Sequence, residues 1–301
     1  MKQRLRVWAK RLAIAVLVFA AFLLLVVIPV GGSYLITNSR FRFPERGPQT
    51  PAAVGLEVTT VDFISSDGIE LRGWWFPGDR TKPVIIFCHG LNRSRLELLE
   101  RAAEAAKRGY GVLLFDLRNH GQSGNAFTTL GILESRDVCA ASQFVRDRAG
   151  RRPQVLWGVS MGASTAILGA KRCPAFRAIV SDSSFLSFRE TISHHVGLLF
   201  RLPSFPIANM IVGITGFRLG INPDDGDVEA AVESLPNVPI LFIAGGNDRR
   251  MPPALAERLR RASTNSRSGM LLVPGATHGE AYRANKELYL NAVFGFLDRA
   301  L

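Results

Sequence analysis

A serine flanked by glycines lies near the middle of this 301-residue chain. Residues 158–162 read Gly-Val-Ser-Met-Gly, so Ser160 is the centre of a G-x-S-x-G motif between an apolar run and the start of a small-residue helix. A turn this tight holds its central residue in a strained conformation, and the two glycines let neighbouring backbone approach. We therefore expect Ser160 to be a nucleophile that faces the N-terminal end of the next helix.

Serine alone is a weak nucleophile and needs a base that works near neutral pH. Of the five histidines, His278 is the best placed, because it lies in a Gly-rich loop directly after the last strand-like run. The other four lie in early loops or in the long stretch before the last two strand-like runs: His89, His120, His194 and His195. The pattern predicts that His278 is the base.

A carboxylate must fix the tautomer of that base and stabilise its imidazolium. Asp248 ends the strand-like run before His278, which gives the chain order Ser, Asp, His that is typical of this serine motif. Asp182 ends an earlier run and is the rival carboxylate. We assign the orienting role to Asp248 and a structural role in a turn to Asp182.

Two backbone N–H groups would complete such a site by binding the oxyanion of a tetrahedral intermediate. Met161 follows the serine and Leu91 lies in the loop after the run "VIIFCHG", so we expect these two residues to supply the donors. We expect His89 to brace that loop by hydrogen bonding. Asn92 opens an Asn-Arg-Ser glycosylation sequon, which we discount because a glycan there would obstruct the serine.

The elements that must position these residues alternate in type. Short apolar runs such as "PVIIFCHG", "GVLLFDLR" and "QVLWGVSMG" are each followed by a helical stretch, and the runs continue to "GMLLVPGATHG". This pattern predicts an α/β fold with a mostly parallel, doubly wound sheet, opened by an antiparallel hairpin around Asp67-Gly68. Ligands of such sheets bind beyond the carboxyl ends of the strands, where Ser160, Asp248 and His278 fall.

The alternation lapses at about residues 184–235, which we interpret as a lid inserted after the sixth strand. A second membrane span is the alternative, but Pro203 and Pro206 interrupt the apolar stretch. The apolar side chains of the lid either line an acyl pocket or pack the lid onto the core. The residues considered for the pocket are Leu198, Leu199, Phe200, Phe205, Ile207 and Met210.

Residues 12–36 predict a transmembrane anchor behind a basic flank at residues 1–11. The segment from Leu12 to Val30 is almost wholly apolar and would form a helix about 28 Å long, which can cross a bilayer. A cleaved signal peptide would have a shorter apolar core and a small-residue cleavage site, neither of which is evident. The residues that follow the apolar segment also carry positive charge, at Arg40, Arg42 and Arg46. The larger charge of the first flank favours a cytoplasmic N-terminus and a domain outside the cytoplasm.

A linker at residues 37–57 joins this anchor to a domain at residues 58–301. The formal net charge is +12, but outside the N-terminal flank the charges are scattered, so we expect no nucleic-acid partner. The sequence has neither a phosphate-binding glycine motif nor an H-E-x-x-H motif, and we expect no cofactor and no metal. The cysteines have no framework spacing, and we expect buried thiols at Cys88, Cys139 and Cys173.

Five segments together carry a resemblance to a known family: "HGLN" at 89–92, "DLRNHGQSG" at 116–124, "GVSMG" at 158–162, "GGND" at 245–248 and "GATHG" at 275–279. From Val58 to Leu301 the chain resembles the α/β-hydrolase superfamily, particularly membrane-anchored serine hydrolases similar to the monoacylglycerol-lipase and prolyl-aminopeptidase-like groups. The resemblance implies the nucleophile, acid, base and oxyanion roles given above, and a structural role near the site for residues 116–124. The chain lacks the longer glycine run of hormone-sensitive-lipase-like esterases, which argues against bulky tertiary esters as substrates.

The residues and the resemblance together favour a membrane-anchored hydrolase of carboxylic, lipid-like esters that needs no cofactor. The same three side chains cleave amides, so a peptidase or amidase is the alternative enzyme. A membrane-tethered binding module without catalysis is the alternative of a different class, because a fold does not establish a function.

Overall fold

A computed structural model describes residues 2–38, 43–44 and 47–301 of the chain. Its strands are β1 (Thr59–Ile64), β2 (Glu70–Phe76), β3 (Val84–Cys88), β4 (Gly111–Phe115), β5 (Gln154–Val159), β6 (Phe176–Asp182), β7 (Ile240–Gly245) and β8 (Gly269–Val273). They form one sheet in the order β1-β2-β4-β3-β5-β6-β7-β8. β2 pairs antiparallel with β1 and β4, and all other pairs are parallel. The predicted hairpin and mostly parallel sheet are confirmed.

The central strands are buried along their whole length because helices cover both faces of the sheet. The helices are α1 (Lys2–Phe22), α2 (Ile28–Asn38), α3 (Leu99–Ala106), α4 (Glu134–Ala149), α5 (Met161–Arg172), α6 (Phe188–Phe200), α7 (Ser204–Leu219), α8 (Val228–Glu233), α9 (Pro253–Ala262), α10 (Ala281–Ala284) and α11 (Lys286–Ala300). Helices α4, α5, α8 and α9 pack into the core on one face. Helices α3, α10 and α11 pack into the core on the other.

Three helices, α6, α7 and α8, lie between β6 and β7, where the sequence pattern loses its alternation. We call residues 183–239 the insert. The division of the chain into a basic flank, an anchor, a linker, a domain and a lid stays a prediction. Part of the proposed linker at 37–57, namely residues 39–42 and 45–46, lies outside the described residues.

The N-terminal helix continues from α1 through a π-helical turn, Leu23–Val27, into α2. Its segment Gln3–Asn38 is, among the described residues, the one helix long and apolar enough to cross a membrane. The arginines considered for the orientation of the span, Arg40, Arg42 and Arg46, lie outside the described residues.

The prediction of three buried thiols was wrong for two of the cysteines. Cys139 on α4 and Cys173 at the end of α5 form a disulfide, with their Cα atoms 5.8 Å apart. The two helices pack against each other, which joins positions 34 residues apart in the chain. Cys88 is free and buried, and burial raises the pKa of its thiol far above the usual range.

We expect loss of this disulfide to destabilise the domain. It closes a loop across a sequence separation of 34 residues, which restricts the unfolded chain, so Cys139→Ser should lower the free energy of unfolding by about 3–4 kcal/mol. Urea unfolding of the detergent-solubilised protein with and without reductant measures this loss. Reductant should lower the wild-type midpoint and leave the variant unchanged. Equal midpoints without reductant would contradict the disulfide.

Candidate active site

Ser160 lies at the junction of β5 and α5, in the strained conformation that the motif predicts. Its backbone has φ 54° and ψ −121°, and residues other than glycine rarely adopt a positive φ. A Cβ at Gly158 would collide with the carbonyl of Gly162, and a Cβ at Gly162 would collide with the carbonyls of Cys88 and His89. The glycines are therefore required because β3 and the first turn of α5 pass directly beside the serine.

Three side chains meet beyond the carboxyl ends of β5, β7 and β8. His278 Nε2 lies 2.8 Å from Ser160 Oγ, and His278 Nδ1 lies 2.7 Å from Asp248 Oδ2. The other carboxylate oxygen, Asp248 Oδ1, accepts the backbone N–H groups of Arg250 and Met251 at 2.9 and 2.8 Å. Asp248 is only 3% exposed, and its carboxylate is thereby held in one orientation. With Nδ1–H donated to Asp248, Nε2 is the atom that can accept the serine proton.

The two N–H groups predicted to bind an oxyanion both belong to residues that line the cavity next to Ser160, namely Leu91 and Met161. The neighbours of Leu91 are already engaged: Gly90 N–H donates to Glu97 Oε2 at 2.6 Å, and Asn92 N–H donates to His120 Nε2 at 3.1 Å. Within residues 2–38, 43–44 and 47–301, no hydrogen bond is formed by the N–H of Leu91 or Met161. These are the groups that remain for a ligand.

His89 holds the Leu91 loop from below. Its Nδ1 lies 2.8 Å from Gly90 O, and its Nε2 accepts the backbone N–H of Leu117 at 3.0 Å. Both ring nitrogens are thus engaged with backbone, so His89 connects the loop after β3 to the loop after β4. This is the bracing role that the sequence predicts.

Asp182 does not form a turn, which corrects the sequence-based prediction. It is the last residue of β6, and its backbone oxygen accepts the N–H of Ser160 at 2.8 Å. Its side chain is fully buried and accepts hydrogen bonds from the hydroxyls of Tyr289 and Ser183, each at 3.0 Å. Burial raises the pKa of this carboxyl, opposed by the charge of the buried Arg101. Asp182 therefore supports the floor of the site.

A mostly apolar cavity of about 370 Å³ has Ser160 in its wall. Of the side chains considered for a pocket, Leu199 and Phe200 line this cavity. The other four do not line it. Leu198 precedes Leu199 on α6 and is outside the lining, and Phe205 is 75% exposed. Ile207 is buried in the core, and Met210 is half-buried outside the lining. A hydrophobic pattern did not separate these sets, because Leu198, Leu199 and Phe200 are consecutive apolar residues that point to different sides of α6.

Sequence reasoning missed a helical face that lines this cavity. Thr191, His195 and Leu199 of α6 line it at a spacing of four residues, and their neighbours Ile192, Val196 and Phe200 do the same. Residues four apart lie on one side of a helix, so the sequence groups these side chains, but only the packing of α6 shows that this side faces the cavity. The N-terminal helix also lines the cavity, through Gly32, Leu35 and Ile36, and no pattern in the sequence around these residues indicates this.

The polar side chains of the cavity are few and carry no negative charge. They include Asn92, His195 and Arg250, and none of the described lining residues is acidic. Asn92 Oδ1 is buried and, among the described residues, accepts no hydrogen bond. Burial lowers the pKa of the His195 imidazole, which favours its neutral form. The described residues contain no group of three or more His, Cys, Asp or Glu side chains that could hold a metal ion.

Comparisons with known proteins agree with the observed fold. The family model described as serine aminopeptidase, S33, matches residues 79–220. The solved esterase Pf2001 of Pyrococcus furiosus is 26% identical, with a TM-score of 0.67 over 86% of this chain and 98% of that one. The protein YqkD of Bacillus subtilis is 27% identical over 81% of this chain and 80% of its own length, and the thiohydrolase aneE of Aspergillus aculeatus is 35% identical over 43% of each. This chain has the α/β-hydrolase fold, and over residues 79–220 it is similar to the serine aminopeptidase, S33, family.

Proposed function

We propose that this protein is a membrane-anchored serine hydrolase that cleaves carboxylic esters with a lipid-like acyl group. The observation that carries the proposal is the hydrogen-bonded series Ser160, His278 and Asp248 at the wall of an apolar cavity. A nucleophile, a base and an orienting carboxylate in this geometry are the parts that acyl transfer requires.

The reaction follows from the positions of these atoms. Ser160 Oγ attacks the acyl carbonyl carbon while His278 Nε2 takes its proton, and the N–H groups of Leu91 and Met161 stabilise the resulting oxyanion. The imidazolium, held by Asp248, then donates the proton to the departing alkoxide, which leaves an acyl-enzyme. A water molecule activated by His278 attacks the acyl carbon, releases the carboxylic acid and restores the serine.

The lining of the cavity favours an ester over the N-terminus of a peptide. An aminopeptidase must bind the ammonium group of its substrate, and burying that charge without a carboxylate partner is costly. The described lining residues include Arg250 and no acidic side chain, so a cationic substrate is repelled. An uncharged acyl chain brings no charge of its own that the lining must pair.

The anchor proposal rests on the helix Gln3–Asn38, whose length and hydropathy are sufficient for a span. We propose that its N-terminus faces the cytoplasm and that the hydrolase domain lies outside it. The disulfide between Cys139 and Cys173 supports this orientation, because disulfides persist outside the reducing cytoplasm.

Three chromogenic substrates test the ester proposal in the detergent-solubilised protein. They are p-nitrophenyl octanoate, the p-nitroanilide of the same acid, and alanine p-nitroanilide with its free amine. We expect kcat/KM for the ester to exceed that for alanine p-nitroanilide by at least about a hundredfold, because an aryl ester is the more reactive acyl compound and the cavity cannot pair the ammonium group. The octanoyl p-nitroanilide should fall between them. The proposal is contradicted if the free-amine substrate is the preferred one.

A further inference from the structure

The N-terminal helix does not leave the domain as a free stalk. Its last turns, on α2, pack against α7 of the insert. Pro29, Ser33 and Thr37 are buried at a spacing of four residues, so one face of the helix contacts the domain. The approach is close at Gly32, where a Cβ would lie 3.0 Å from Ile211 Cδ1.

Arg218 on α7 fixes the end of this helix. Its guanidinium donates to Ser33 Oγ at 2.9 Å, to Thr37 Oγ1 at 2.7 Å and to Asn38 Oδ1 at 2.9 Å. The same group lies 3.7 Å from the centre of the Tyr34 ring. Because one side chain makes these contacts over two turns, the helix is held in a defined rotation and register against the insert.

The turn that Arg218 holds is also part of the cavity wall. Gly32, Leu35 and Ile36 line the cavity that contains Ser160, together with Leu199 and Phe200 of α6. The volume of about 370 Å³ lies near the lower end of the range for small-molecule sites, roughly 300–1,000 Å³. It suits one hydrocarbon chain better than the two chains of a bilayer phospholipid.

The position of this turn along the span places the cavity at the membrane surface. A helix of about 20 residues crosses the hydrocarbon core, and such a helix that starts after the last basic residue of the flank, Arg11, ends near Gly31. The following residues, Gly32–Ile36, then lie at the interface on the domain side.

The mouth of the cavity is apolar where it faces this interface. Leu35, Leu199 and Phe200 line the cavity and yet are 61%, 64% and 59% exposed. On the neighbouring helix of the insert, Phe217 is 94% exposed. Apolar surface of this extent is unfavourable in water and is satisfied when it contacts lipid.

We infer that the N-terminal helix is a wall of the substrate cavity as well as an anchor, and that a single acyl chain enters the cavity from the bilayer between α2 and α6. The reactive ester group then reaches Ser160 while the chain remains against Gly32 and Ile36. The inference rests on the proposed function for the identity of the substrate, an ester with one acyl chain.

Adjacent glycines provide a matched pair of variants in the full-length protein, reconstituted in phosphatidylcholine vesicles. Gly32 lines the cavity, whereas a Cβ at Gly31 would meet nothing within 4 Å. We expect Gly32→Phe to lower the ratio of kcat/KM for dodecanoyl to acetyl p-nitrophenyl ester by at least about tenfold, because the ring occupies the path of the longer chain. Gly31→Phe should leave the ratio unchanged. Equal ratios for wild type and Gly32→Phe would overturn the inference.

A second measurement needs no hydrolysis. A photoreactive single-chain alkyl ether in the same vesicles should label the peptides that contain residues 32–36 and 199–200, and Gly32→Phe should remove this labelling while Gly31→Phe retains it. Labelling of these peptides without turnover of any ester would contradict the proposed function but would support the inference that the N-terminal helix forms a wall of the cavity. Labelling that is the same in both variants would overturn the inference whether or not esters are hydrolysed.

Discussion

Ser160→Ala should lower kcat for ester hydrolysis by about four to six orders of magnitude. The substitution removes the oxygen that lies 2.8 Å from His278 Nε2 and leaves His278, Asp248 and the cavity in place. Any remaining turnover would come from water activated by the histidine and from the oxyanion donors. The fold should be retained, because the side chain of Ser160 is replaced by a smaller one without loss of a core contact.

Labelling with a fluorophosphonate probe measures the same property without a choice of substrate. An activated serine reacts with this probe, so the wild-type protein should be labelled and Ser160→Ala should not. Ser266→Ala, at an exposed position on the loop before β8, is the control and should be labelled like the wild type. Unchanged turnover in pure Ser160→Ala protein would rule out the mechanism. Absence of labelling in folded wild type would favour the membrane-tethered binding module.

Arg118→Met should lower the free energy of unfolding by about 3–5 kcal/mol. Arg118 is 1% exposed and donates to Asp137 on α4 at 2.7–3.1 Å and to Asp67 in the β1–β2 turn at 2.7 and 2.9 Å. Its removal leaves the fully buried carboxylate of Asp137 without the positive charge of the guanidinium, although the backbone N–H of residue 118 still donates to it at 2.9 Å. The effect is on stability because Arg118 joins the hairpin, the loop after β4 and α4, and does not contact Ser160.

Two further variants show whether the loss of stability comes from breaking a buried ion pair or from removing any arginine charge. Arg136→Met removes a half-exposed arginine that pairs with the same Asp67 at 3.1 Å, and it should cost no more than about 1 kcal/mol. Arg118→Met with Asp137→Leu removes both partners and should recover part of the loss. Chemical denaturation gives the three values. If Arg118→Met and Arg136→Met cost the same, the structural role proposed for residues 116–124 is wrong.

The fold and the meeting of the three polar side chains followed from local features of the sequence. Each of Ser160, Asp248 and His278 directly follows a strand-like run, and the carboxyl ends of parallel strands lie at one edge of a sheet. The alternation of strand and helix defines that edge, and the glycines of the serine turn define the conformation of Ser160. These signals depend on neighbours in the chain, so the sequence is sufficient to read them.

Other features depend on contacts between distant segments and were decided by the tertiary structure. The pairing of Cys139 with Cys173 requires α4 and α5 to pack side by side, and the choice of Leu199 and Phe200 over Leu198 requires the rotation of α6 about its axis. The contact of Gly32 with Ile211 joins positions far apart in the chain, and no periodicity within either helix records it. By itself, the sequence determined which residues follow which strands. The packing of the helices decided which surfaces form the cavity, because side chains from separate elements become neighbours only in the folded chain.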